Sequence, residues 1–526
     1  MKKIIICDAI HKKGFELLRK ENDIEVIDAV SLSKDELLDM IGDADVAITR
    51  SPTAIDEKFL QKATNLKAVV RAGVGVDNVD LDGCSKRGII AMNVPTANTI
   101  AAVEMTMTHI LSCARSFVNA NNNLKIDRVW KREKWYGVEL SGKKLGIIGF
   151  GNIGSRVGIR AKAFDMDVIT YDPYIEPSKA TDLGVTYTQN FDDILACDFI
   201  TIHTPKNRET TDIISFEEIK KMKDGVRLIN CARGNLYNEK ALYDGIKSGK
   251  IAFAGIDVFS YEPATDHPLL DLENICVTPH LGANTHESQE KIATQAAESA
   301  LLAVRGISYP NALNLPIKTE DLPQDTVPYL ELTQKISYFA AQINKAQIKS
   351  IRLKVEGSIS KYAKSLLTFS IVGVLKESIG DNINYVNAGF VAKDKGIETT
   401  FEESSTSSNY HNKVSISLTT AKGVATVTGT VFEDTEPRIV NINGFGFDFK
   451  PKGKMIVLKN RDVPGVIASV ATLLSENGIN ISDFRLGRGK DGYAMAVILV
   501  DESIDREMLN KLNSLDACLW AEYAIL

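Results

Sequence analysis

Short apolar runs alternate with polar, breaker-free stretches of helical spacing from residue 1 to about 305. In the first part this pattern predicts strands at Ile4–Asp8, Ile24–Asp28, Val46–Thr49 and Ala68–Arg71, with helices near Lys12–Lys20 and Lys34–Ile41. A long helix is expected from about Thr99 to Ala120, where Ala, Val, Met and Leu recur without breakers. A second series opens at Lys144. Its strands are expected at Gly146–Phe150, Val168–Asp172, Phe199–Thr204, Arg227–Asn230, Ala252–Asp257 and Ile275–Thr278, followed by a helix from about Glu287 to Arg305. Strands that alternate with helices build parallel sheets, so both series read as α/β. Pro310 and Pro316, with Asn311 and Asn314 between them, mark a linker.

Beyond the linker the texture changes. A helix is expected around Leu330–Ala346, with β-rich stretches at Ile351–Glu356, Val414–Leu418 and Val424–Phe432 and a polar loop at Glu403–Asn409. From Lys454 to Leu526 the order reads β-α-β-β-α-β, the split βαβ, ferredoxin-like plan. Composition adds little to this picture. The chain has 526 residues, 44% of them hydrophobic and 25% charged, with a net charge of −6, which gives no electrostatic reason for a nucleic-acid or membrane partner. Seven dispersed cysteines without a C-x-x-C pair suggest reduced thiols in the cytoplasm, and no metal-ligand cluster is apparent.

The chemistry concentrates in a few places. Gly149-Phe150-Gly151-Asn152-Ile153-Gly154 is a G-x-G-x-x-G turn between an apolar strand and a helical pattern. Gly149 would permit the tight turn, Gly151 the approach of a pyrophosphate, and Gly154 the packing of helix on strand. Asp172 ends the next strand, where a carboxylate accepts from ribose hydroxyls and repels a 2′-phosphate, so NAD is expected over NADP. Gly73-Val74-Gly75 reads as a decoy of the same texture. Arg233, Glu262 and His280 each follow a later strand of the second series, facing the ligand crevice of an open α/β sheet. Hydride transfer from an alcohol to NAD needs a proton acceptor such as His, a carboxylate to orient it, and an Arg fork for a substrate carboxylate.

These segments, together with Arg71-Ala72-Gly73-Val74-Gly75-Val76-Asp77-Asn78, resemble the D-specific 2-hydroxyacid dehydrogenase family over the whole chain. Within it, the extra C-terminal units resemble the long-form members that act on D-3-phosphoglycerate. The resemblance implies two lobes of doubly wound parallel sheet: a flavodoxin-like substrate domain (1–97 and 285–310) and a Rossmann NAD domain (98–284). An α+β intervening domain (317–450) and a ferredoxin-like ACT regulatory domain (454–526) would follow. It implies His280 as acid/base, Glu262 as its partner and Arg233 as substrate-binding. Cofactor contacts would extend to Val74, Asn152, Ile153, Asp172, Thr204, Cys231, Ala232, Arg233, Asp257, His280, Gly282 and Ala283. Arg50 and Arg71 would bind the phosphate and carboxylate of 3-phosphoglycerate, and Lys131 and Arg132 would reach a neighbouring active site in a homotetramer. Asn460, Asp462 and Asn480 match the positions that hold an L-serine effector in the feedback-controlled members. The nearest alternative is another D-2-hydroxyacid dehydrogenase, acting in glycerate, glyoxylate or 2-oxoglutarate chemistry.

Overall fold

Four sheets carry the chain in a computed structural model that describes residues 1–317, 322–489 and 491–526. In the first sheet the spatial order is Ile24–Asp28, Lys2–Ile6, Val46–Thr49, Ala68–Arg71, Ile90–Asn93, all parallel. This is the flavodoxin-like order. Ile4, Ile5 and Ile6 are all fully buried, as a strand covered on both faces requires. The helix His286–Arg305 returns from the second unit to cover this sheet, with Ile292, Ala296 and Ala300 in its core.

The second sheet runs Ile275–Val277, Ile251–Ile256, Val226–Asn230, Phe199–Ile202, Lys144–Ile148, Asp167–Tyr171, Thr186–Thr188, again all parallel. Strand order reverses between Lys144–Ile148 and Phe199–Ile202, which opens a crevice at the carboxyl ends of those strands. Strands Ile90–Asn93 and Thr186–Thr188 were not among the expected ones; the second, Thr-Tyr-Thr, holds no apolar run.

The expected helix from Thr99 to Ala120 is two helices, Thr99–Arg115 and Phe117–Lys125. Ser116 breaks them apart in the left-handed conformation, at φ 48° and ψ 36°. The second helix has no fully buried side chain and meets the core only through Val118.

Past the linker, a six-stranded sheet runs Glu398–Ser404, Ile348–Glu356, Lys413–Thr420, Gly423–Phe432, Glu436–Ile442, Phe445–Phe449. Helices Val327–Ile343 and Ala363–Ile379 pack against it. Glu403 and Ser404, expected in a loop, end its edge strand. The last sheet runs Ile481–Arg488, Tyr493–Val500, Lys454–Arg461, Cys518–Ile525, all antiparallel. One face of it is covered by its own helices through Val470, Leu474, Met508 and Leu512. The other face, through Met455, Val457, Met495, Val497 and Ala524, lies in the same core as Phe339 and Ile343. Gln342 seals this junction by donating to the Ile525 carbonyl at 3.0 Å and accepting from its N–H at 2.9 Å.

The two N-terminal lobes share one local device. Asp45 accepts from the Lys3 N–H at 2.9 Å and Lys67 Nζ at 2.8 Å; Asp198 accepts from the Lys144 N–H at 2.8 Å and Lys223 Nζ at 3.0 Å. Each carboxylate thus ties the start of a central strand to its neighbours. Burial acts to raise both carboxyls, but these donors outweigh it and hold both below the ordinary carboxylate range. A depressed carboxyl stabilises the fold above its unfolded value of about 4, and that contribution is lost as pH falls below it through the lower folded value. Replacing Asp45 or Asp198 with Asn is therefore expected to cost about 1–2 kcal/mol near neutral pH. The variants should also lose less than the parent on acidification from about pH 5 to pH 3. Thermal unfolding across that range checks both; an unchanged acid slope would refute the role.

Candidate functional site

The glycine turn sits at the switch point, and each glycine meets a different physical demand. Gly149 has φ +88°, and a Cβ there would fall 2.8 Å from the His203 carbonyl oxygen. A Cβ on Gly154 would come within 2.1 Å of the Gly149 carbonyl oxygen, so the helix can press on the turn only without one. A Cβ on Gly151 would meet nothing within 4 Å, which leaves the backbone open to an approaching phosphate. Helix Asn152–Lys162 starts at Gly151 with no side-chain cap, so the N–H groups of Asn152 and Ile153 remain available to an anion. Asp172 accepts from the Phe150 N–H at 2.8 Å and the Tyr174 N–H at 3.0 Å. It braces the turn while each oxygen keeps a lone pair for a ribose hydroxyl. Thr204 lies against Gly149, its hydroxyl buried without a partner among the described residues. An open phosphate cradle, an uncapped helix start and a carboxylate at the next strand end fit NAD.

The loops after three successive strands carry Arg233, Glu262 and His280. Asn230 accepts from the Ala232 N–H at 3.0 Å and donates to the Arg233 carbonyl at 2.8 Å, folding Cys231, Ala232 and Arg233 into a tight turn. A Cβ on Gly234 would lie 1.9 Å from the Phe259 carbonyl oxygen, so this turn and the Phe259–Glu262 loop touch backbone to backbone. His280 Nδ1 lies 2.8 Å from Glu262 Oε2, and Glu262 Oε1 accepts from the Phe259 N–H at 3.1 Å. Burial acts to raise the Glu262 carboxyl. The His280 hydrogen bond and charge, the Phe259 N–H and the Arg233 charge outweigh it and hold the group ionised below the ordinary range. Asp257 is fully buried, and its carboxylate accepts from Thr278 Oγ1 at 2.5 Å and from the N–H groups of Leu281 at 2.7 Å and Gly282 at 2.9 Å. Ala283 follows, its carbonyl accepting from Gln289 at 2.9 Å.

The first lobe brings a cluster of guanidinium groups to the same crevice. Arg233 Nε donates to Asp77 Oδ2 at 3.0 Å, and a Cβ on Gly75 would fall 2.2 Å from the Arg233 guanidinium. Arg71 folds across Gly73, where a Cβ would lie 1.6 Å from its Nη1, and donates to Ser51 Oγ at 2.7 Å. The Gly73-Val74-Gly75 segment lies outside the G-x-G-x-x-G turn, and its glycines make room for two guanidinium groups. The Val74 carbonyl is held by Asn93 at 2.7 Å. Arg50 donates to the Ala9 carbonyl at 3.0 Å and to Gln289 Oε1 at 2.9 Å. Burial first, then repulsion from Arg233 and Arg50, pushes the Arg71 guanidinium down to about 10. Positive charge is crowded here beyond what Asp77 and Asp8 offset, which is what a dianionic ligand needs.

Gly75, Asp77 and Gln289 were not singled out as site residues, because each acts through a contact with a residue distant in the chain, whereas Gly73 and Asn230 act on neighbours two or three residues away. Lys131 and Arg132 stand apart from the cluster on an exposed turn, where the neighbouring Lys134 pairs with Glu273. In the last unit Asn460 and Asp462 line one cavity of about 60 Å³. Asp462 is bound by Arg488 at 2.7 Å, while Asn480 donates to Asp501 at 2.6 Å outside that cavity.

Residues 107–282 match the D-isomer specific 2-hydroxyacid dehydrogenase, NAD binding domain; 325–443 match the D-3-phosphoglycerate dehydrogenase intervening domain; and 454–517 match the ACT domain. The chain is 38% identical to the D-3-phosphoglycerate dehydrogenase of Bacillus subtilis over 98% of both chains. It is 36% identical to that of Methanocaldococcus jannaschii, again over 98% of both. Among solved structures, a D-lactate dehydrogenase from Aquifex aeolicus complexed with NAD and lactic acid is 28% identical, with a TM-score of 0.52 over 58% of this chain and 96% of that one. A glyoxylate reductase is 26% identical with a TM-score of 0.55, over 59% of this chain and 98% of that one. The full-length relatives carry the C-terminal units that distinguish this chain from a plain hydroxyacid dehydrogenase. The chain belongs to the D-3-phosphoglycerate dehydrogenases, within the D-isomer-specific 2-hydroxyacid dehydrogenase family.

Proposed function

We propose that the protein oxidises D-3-phosphoglycerate to 3-phosphohydroxypyruvate, the entry to L-serine synthesis, and works in the cytoplasm. The observation that carries this reading is the meeting of the His280–Glu262 pair with Arg233, Arg71 and Arg50 at one crevice. Glu262 can only accept, so His280 presents Nδ1–H to it and keeps the Nε2 lone pair for the substrate hydroxyl. His280 Nε2 takes the hydroxyl proton, and the adjacent carboxylate stabilises the imidazolium that forms. NAD, when bound, accepts the hydride from C2. Arg233 holds the substrate carboxylate, and Arg50 and Arg71 supply the further cations that a phosphorylated substrate requires over a plain hydroxy acid. The shape of the cradle and the Asp172 carboxylate support NAD over NADP.

A homotetramer is the proposed assembly. Phe117, Ile126, Trp130 and Tyr136 are 65%, 68%, 77% and 85% exposed on one arm, an apolar surface suited to a second copy. Lys131 and Arg132 lie on the same arm, in position to extend toward a neighbour's crevice. L-serine is the proposed effector at Asn460, Asp462 and Asn480. The Arg488–Asp462 pair then sets a condition: a ligand ammonium must displace the guanidinium to reach the acid.

Replacing His280 with Ala is expected to lower kcat by about 10³-fold or more while NADH binding, followed by its fluorescence, survives. Retained turnover would remove His280 from its role. Arg50→Ala should raise KM for 3-phosphohydroxypyruvate by about tenfold and leave that for unphosphorylated hydroxypyruvate nearly unchanged. An equal loss on both compounds would show that Arg50 does not read the phosphate. NADH oxidation with and without L-serine checks the effector site. Arg488→Ala, which frees Asp462, should increase serine sensitivity, and insensitivity in parent and variant alike would refute the assignment.

A further inference from the structure

The loop that carries His280 is braced from behind the sheet, through a histidine that touches neither crevice nor solvent. We propose that His109 is a positioning residue for His280, acting through the Thr278 hydroxyl and the Asp257 carboxylate. The inference rests on the acid/base role proposed for His280 and goes beyond it.

His109 lies on helix Thr99–Arg115 and is 1% exposed. It packs over Gly255, where a Cβ would fall 2.9 Å from both His109 Cβ and Nδ1, so the strand is glycine at the one point that must admit the ring. His109 Nε2 is 2.9 Å from Thr278 Oγ1, and Thr278 Oγ1 is 2.5 Å from Asp257 Oδ1. Counting protons fixes the direction of the chain. A carboxylate only accepts, so the single hydroxyl hydrogen of Thr278 goes to Asp257. What His109 brings to Thr278 is then an N–H, which makes it the Nε2–H tautomer. Its Nδ1 has no hydrogen-bond partner among the described residues. Burial, against the opposing pull of Asp257, keeps the ring below the ordinary imidazole value and so neutral.

The other end of the chain reaches the reactive loop. The Asp257 carboxylate holds the N–H groups of Leu281 and Gly282, and the Asp257 carbonyl holds the N–H of His280 at 2.8 Å. His280 itself has φ +56°, a left-handed conformation that a non-glycine residue keeps only when its surroundings over-determine it. Those anchors supply the over-determination. Without a donor at Nε2 of residue 109, Thr278 keeps only its bond to Asp257, the helix no longer fixes that hydroxyl, and the loop can relax away from Glu262.

Two substitutions separate positioning from simple filling of space. His109→Leu keeps the bulk and removes the donor; His109→Gln restores an N–H at a similar reach. With 3-phosphohydroxypyruvate and NADH, kcat of H109L is expected to fall by about tenfold or more, since small misplacements of catalytic groups carry losses of that order. NADH affinity and the thermal midpoint should stay near the parent's, and H109Q should recover most of the loss. Full activity in H109L, or an equal loss in H109Q, would overturn the proposal. A second readout needs no substrate and so separates this inference from the proposed function. Diethyl pyrocarbonate labelling of His280, followed by peptide mass spectrometry, should be faster in H109L than in the parent and H109Q; equal rates in all three would count against the bracing chain.

Discussion

A single carboxylate sealed inside the second lobe governs the geometry of the reactive loop. Asp257 is fully buried at the end of strand Ile251–Ile256, and nothing in its surroundings could neutralise it cheaply except directed hydrogen-bond donors. It collects them from Thr278, Leu281 and Gly282, and so binds the segment just past strand Ile275–Val277 to its own strand. His280 lies between those anchors, in a backbone conformation it would not choose alone. An unpaired buried charge costs several kcal/mol, so the loop is held tightly wherever the fold is intact.

The crevice then forms by close backbone approach. Gly234 lets the Arg233 turn meet the Phe259–Glu262 loop, and Gly73 and Gly75 let two guanidinium groups lie over first-lobe backbone. A methyl group at any of these sites would overlap atoms already there, so the three-way meeting of imidazole, carboxylate and guanidinium depends on absent side chains. Gln289 joins the lobes at the same place, accepting from Arg50 and donating to the Ala283 carbonyl.

In the C-terminal half, the last sheet spends both faces within the chain. Its own helices cover one, and the helix Val327–Ile343 covers the other through a core that includes Met455, Val457 and Met495. The two C-terminal units are thus one packed body. An effector that shifts the last sheet must also shift the intervening helices, because close-packed cores transmit displacement instead of absorbing it.

Element order and type were legible along most of the chain, because helix and buried strand impose different periods on apolar residues. The G-x-G-x-x-G turn, Asp172, Arg233, Glu262 and His280 could be found for a related reason: each follows a strand, and strand ends in a parallel sheet share one edge. Strand Thr186–Thr188 escaped because Thr-Tyr-Thr offers no apolar run, whereas the equally short Ile275–Val277 does. The break at Ser116 escaped too, since no Gly or Pro marks it and a single left-handed residue leaves no trace in the apolar pattern. The roles of Gly75, Gln289 and His109 belonged to tertiary structure alone. Each depends on which distant atom lies within a few ångströms, and local sequence preferences hold no record of that distance.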